Sequence, residues 1–114
     1  MLTLPIKKKW FDMILSGEKK EEYREIKPYY ETRFKNIFYT YKFVSNSEFI
    51  IAIRKGLKNC KFEVCFRNGY SKNSSSFIAK CTLSVGEGKE EWGAEPQKEY
   101  YILRIHEVVE KKNC

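Results

Sequence analysis

Apolar residues recur along the chain in two periods, and the changes from one period to the other divide it into elements. Leu2, Leu4 and Ile6 alternate with Thr3 and Pro5, the pattern of a short strand, with Pro5 acceptable on a sheet edge. Trp10, Phe11, Ile14 and Leu15 then form one stripe at helical spacing, which predicts a helix over 8–16 closed by Gly17. Residues 20–26 read as extended. Lys27-Pro28 sets a new helix start, and Tyr30, Phe34, Ile37, Phe38 and Tyr41 follow at helical spacing as core aromatics. After a loop and cap at Ser45-Asn46-Ser47, a further helix is predicted over 48–55 and stopped by Gly56.

Three strands complete the chain. Phe62, Val64 and Phe66 alternate with polar positions over 61–67; Phe77, Ala79, Cys81, Leu83 and Val85 do the same; and 100–109 places Tyr101, Leu103 and Ile105 inward with Arg104 and His106 outward. Asn68-Gly69 is a strong turn signal, 70–76 is a polar exposed loop, Gly86-Glu87-Gly88-Lys89 is a turn, and 110–114 is expected to fray. The order strand, helix, strand, two helices, three strands predicts an α+β domain. Its sheet is expected to curl into a mixed β-barrel with flanking helices, the helical insert covering one opening.

A length of 114 residues allows one domain, 1–114, and 42% hydrophobic with 16% aromatic content argues for a folded chain. Lys and Arg number 22 against 15 Asp and Glu, a net charge of +7. That excess favours a polyanionic partner or serves solubility alone. No stretch is apolar for long enough to cross a bilayer, and the N-terminus lacks the regions of a signal peptide, so the expected compartment is cytoplasmic with no membrane partner. Cys60, Cys65, Cys81 and Cys114 have no C-x-x-C spacing and His106 is the single histidine. No metal site and no cofactor are therefore expected, and the cysteines read as reduced thiols.

The densest polar stretch is Gly17-Glu18-Lys19-Lys20-Glu21-Glu22-Tyr23-Arg24. With a period of two, Glu22 and Arg24 share one face of an extended segment, and Lys19 stands at its mouth. Two cations and a carboxylate then surround one small volume. The plainer reading is a solvated Glu/Arg pair on an edge strand. Lys7, Lys8 and Lys9 crowd the start of the first helix, where the macrodipole disfavours cations. They project into solvent, the usual state of a charge run, or serve a phosphate contact made elsewhere.

Gly17-x-Lys19-x-x-Glu22-x-Arg24, preceded by Leu4-Pro5-Ile6-Lys7 and the apolar helix, resembles the G-x-K-x-x-E-x-R signature of the ASCH domain family, in its small single-domain bacterial or phage form. Phe66-Arg67-Asn68-Gly69-Tyr70, Trp92-Gly93-Ala94-Glu95 and Tyr100-Tyr101-Ile102-Leu103-Arg104-Ile105 extend the likeness along nearly the whole chain. The resemblance implies a PUA-like barrel and an RNA- or nucleotide-binding cleft. Its ligand-binding residues would be Gly17, Lys19, Glu22, Arg24, Arg67, Asn68, Tyr70 and Trp92. Trp92 either packs across the site or plugs one end of the barrel.

The family also contains hydrolases, some acting on acylated cytidine and others linked to RNA cleavage. In that alternative Lys19, at lowered pKa, or Glu22, as general base, would be catalytic. Amidohydrolase-type members carry Thr where this chain has Glu22, a departure that separates it from them.

Overall fold

Tyr100, Tyr101, Ile102 and Leu103 are buried in succession. A strand that hides both its faces must lie inside a sheet covered on two sides. In the computed structural model, which describes residues 1–71 and 73–114, these residues belong to β5 (Glu99–Lys112). Before it come β1 (Leu2–Ile6), α1 (Lys8–Leu15), β2 (Glu21–Glu25), α2 (Pro28–Ile37), α3 (Asn46–Lys55), β3 (Phe62–Asn68) and β4 (Ser76–Glu87). Short 3-10 turns fill Tyr39–Tyr41, Leu57–Asn59 and Glu90–Trp92. The strands form one mixed sheet in the order β1-β3-β4-β5-β2, with β1 and β3 parallel and the other pairs antiparallel.

The α+β order is as the sequence predicts. No backbone ladder joins β1 to β2 among the described residues, so the sheet has two edges. Pro5 stands on one of them, where its missing N–H interrupts no ladder.

One face of the sheet carries the main core. Leu4, Val64, Phe66, Phe77, Leu83, Tyr101 and Leu103 meet Phe11 and Ile14 from α1, Phe34 from α2, and Phe49 and Ile53 from α3. The helical insert is locked to β5 by Tyr101. Phe34 meets its ring edge-on at 5.0 Å, and its hydroxyl donates to Asn46 Oδ1 at 2.6 Å. Ser45 caps α3 by accepting from the Glu48 N–H at 3.1 Å. On the other face Tyr100, Ile102 and Ala94 form a second small cluster with Tyr23 against it.

Three expectations need correction. Tyr100 and Ile102 are buried, because the chain segment around Ala94 covers the face that simple alternation assigns to solvent. β5 continues through Lys112, paired with Ser76 and Phe77 of β4 across register shifts, so residues 110–112 are strand. Gly86 and Glu87 belong to β4, and the tight approach falls at Gly88, where a Cβ would come within 2.5 Å of the Tyr23 ring. The 70–76 loop includes Lys72, which lies outside the described residues; Asn73 and Ser75 of that loop bond Asn113 beyond β5.

Phe34→Ala should lower the unfolding free energy by about 3–5 kcal/mol in urea denaturation, since it opens a cavity between insert and sheet. A loss below about 1 kcal/mol would mean that α2 does not share the core.

Candidate nucleotide-binding cleft

Gly17 follows α1 at φ +84, a left-handed value that glycine adopts without strain. The chain turns back sharply there, and the Lys19 N–H donates to the Met13 carbonyl at 2.9 Å. Lys19 is thereby drawn beneath the helix and is only 1% exposed. Its ammonium donates to the Trp92 carbonyl at 2.7 Å and lies 3.2 Å from Glu22 Oε1. It also sits 5.0 Å from the Trp10 ring centroid and 4.9 Å from that of Tyr23, so aromatic faces replace part of its hydration.

Glu22 continues the chain of charges. Its Oε2 accepts from Arg24 Nη2 at 2.7 Å. The same Nη2 donates to the Pro5 carbonyl at 2.9 Å, and Nη1 to the Tyr30 hydroxyl at 3.3 Å. Because Pro5 is on β1 and Arg24 on β2, one guanidinium spans the two sheet edges. Arg24 Nε is buried with no hydrogen-bond partner in the protein.

The three ionised groups sum to +1, and a buried charge left unpaired costs several kcal/mol. Burial holds the Lys19 ammonium below its ordinary 10.5, Glu22 opposes that shift, and Arg24 adds to it.

A cleft of about 770 Å³ opens over this network. Glu22 and Arg24 contribute polar groups, Trp10, Tyr23, Tyr30 and Tyr100 contribute aromatic surface, Lys7 and Lys8 bring positive charge, and Lys98 is paired there with Glu25 and Glu95. Asn68, Gly69 and Tyr70 also line it, as do Gly93 and Glu95. Gly93 has φ +102, and a Cβ there would come within 2.9 Å of Trp10 Cζ2, so the absence of a side chain lets the turn pack on the indole.

Of the residues singled out from sequence, Glu22, Arg24, Asn68 and Tyr70 line the cleft. Gly17, Lys19, Arg67 and Trp92 do not. Gly17 shapes the turn, and Lys19 is walled in beneath the cleft, away from the mouth of the strand where the motif's spacing puts it. Arg67, one residue before the end of β3, is half-buried outside it. Trp92 offers Lys19 its carbonyl, while its ring stacks under the Lys89 ammonium at 4.5 Å. Sequence reasoning missed Trp10, Tyr30, Lys98 and Tyr100. For Trp10 and Tyr30 the signal was present but pointed to core, since both fall on apolar helical stripes.

The chain matches no family model, no curated protein and no solved structure. Among the described residues, no three His, Cys, Asp or Glu side chains converge as metal ligands, and no helix is long and apolar enough to cross a membrane.

Two stability measurements check this geometry. Glu22→Gln keeps the shape but leaves two buried cations facing each other, and should lose about 3–5 kcal/mol at neutral pH; a neutral result would mean that the charges are solvated. Because its native pKa is depressed, Lys19 gives up its proton in the folded protein before it does in the unfolded chain, where its ordinary value is 10.5. Its contribution to stability therefore rises with pH until 10.5 is passed. Wild type should gain on Lys19→Met as pH climbs through the alkaline range, and a difference independent of pH would contradict a buried ammonium.

Proposed function

We propose that this chain is a PUA-like ASCH-type domain whose cleft binds RNA or a nucleotide-like ligand. The observation that carries the reading is Arg24: ion-paired, held between two strand edges, and presented in a concave site with aromatic walls and lysines. A base stacks on Trp, Tyr or an Arg plane without regard to its sequence, and phosphates meet the lysines. The bond from Arg24 on one edge strand to the Pro5 carbonyl on the other is compatible with the PUA-like barrel that the motif implies.

One observation favours a second reading, a hydrolase acting on RNA or an N-acylated cytidine. Lys19 has a lowered pKa beside Glu22, the pairing that general base catalysis uses. Against it, Lys19 does not reach the cleft surface, so binding is the function adopted.

Titration of labelled single-stranded RNA of about twelve nucleotides at low and moderate ionic strength is the test, beside hydrolysis assays on the same RNA and on N-acylated cytidine. Binding should weaken with salt as counterions are released. Lys7→Ala, on the exposed rim, should weaken binding without changing stability, and Arg24→Gln should cost about tenfold or more. No binding at low salt would sink the reading, and turnover abolished by Glu22→Gln in folded protein would replace it with the hydrolase.

A further inference from the structure

Residues 27–59, the helical insert, hold seven Lys and Arg against two Glu. Five of the seven net charges therefore lie in less than a third of the chain, outside the Gly17 to Arg24 motif. The insert's aromatics range from fully buried to almost fully exposed. Phe34 and Phe49 are fully buried, whereas Tyr39 is 80% and Phe43 92% exposed. Neither exposed ring packs on the core. The Lys42 ammonium lies between them, 6.0 Å from the Tyr39 centroid and 5.6 Å from that of Phe43. At the opposite end of α2, the Arg33 guanidinium stacks 3.4 Å over Tyr29, which is 52% exposed and meets Tyr30 of the cleft wall edge-on at 4.9 Å.

Two rings this exposed contribute little to folding, and their pairing with cations indicates the partner. A protein interface would bury its apolar patch in surroundings depleted of lysine. Here a lysine lies between the rings, and the surrounding field is positive. Exposed rings with a cation beside each group match the alternation of base and phosphate in a single strand.

We propose that the insert is a second nucleic-acid contact, a stacking platform for single-stranded RNA. Tyr39 and Phe43 receive bases while Lys42 meets the intervening phosphate. Tyr29 and Arg33 carry the strand from the cleft along α2, whose ten residues span about 15 Å. This extends the cleft reading to a longer ligand, yet the platform does not need the cleft to be occupied.

The test measures affinity for single-stranded RNA of about twelve nucleotides and, separately, for cytidine monophosphate. The wild type is compared with a Tyr39→Ser, Phe43→Ser double variant, whose replaced rings bury almost nothing. The expected result is roughly tenfold or greater weakening for the strand with no change for the mononucleotide. Lys42→Gln should lower the salt slope of strand binding by about one. Strand affinity unchanged in the double variant would overturn the platform, whatever the cleft does. Loss of self-association in that variant, with RNA binding intact, would also overturn it and make the patch a contact between copies. A strand effect without any mononucleotide binding would leave the platform standing and remove the cleft reading alone.

Discussion

The buried run Lys19, Glu22, Arg24 is the constraint on which the rest of the site depends. Glu22 lies between the two cations and offsets one of their charges, and the two ends are secured by main-chain carbonyls, Trp92 at one and Pro5 at the other. The chain of charges thus ties four pieces of structure together: the turn after α1, strand β2, edge strand β1, and the segment after β4. A buried ion pair of this kind is weak evidence for stability, since well-packed apolar groups do as well. It does specify geometry. Bonds to Glu22, Pro5 and Tyr30 hold the Arg24 guanidinium between the two edge strands.

That placement gives the cleft its character. A sheet that ends in two strand edges exposes unpaired backbone groups, and here the Arg24 side chain satisfies the Pro5 carbonyl across the gap. The same side chain forms part of the cleft. Fold and site are therefore coupled through one residue, and a change that frees Arg24 from Glu22 disturbs both. Trp10 has a similar double role. One side of its ring environment shields the Lys19 ammonium and the Gly93 turn, while the residue also forms cleft wall.

The element order was legible in the sequence because alternation and helical stripes report burial directly. Ser45, Gly17 and Pro28 mark helix ends for local reasons that need no tertiary context. Glu22 and Arg24 were also legible, since a period of two places them on one face. Lys19 was not, because its burial results from the Gly17 turn and from a carbonyl 73 residues away. Tyr100 and Ile102 misled for a related reason. Alternation assigns one face of β5 to solvent, and only the tertiary position of Ala94 shows that face to be covered. Trp92 drew attention as the single Trp in a loop, yet its main chain and the neighbouring Gly93 carry the contacts. The length of β5 depends on pairing with Ser76 and Phe77, long-range in sequence and silent in local composition.

Fluorescence of Trp10 gives the most direct test of a nucleotide cleft. The chain has two tryptophans, and Trp92→Phe removes the one outside the cleft while keeping the carbonyl that Lys19 needs. Titration of that variant with cytidine monophosphate should quench the remaining emission saturably, and added salt should shift the midpoint to higher concentration. Emission that stays unchanged across the titration, in protein shown to be folded, would contradict a nucleotide stacked beside Trp10 over Arg24.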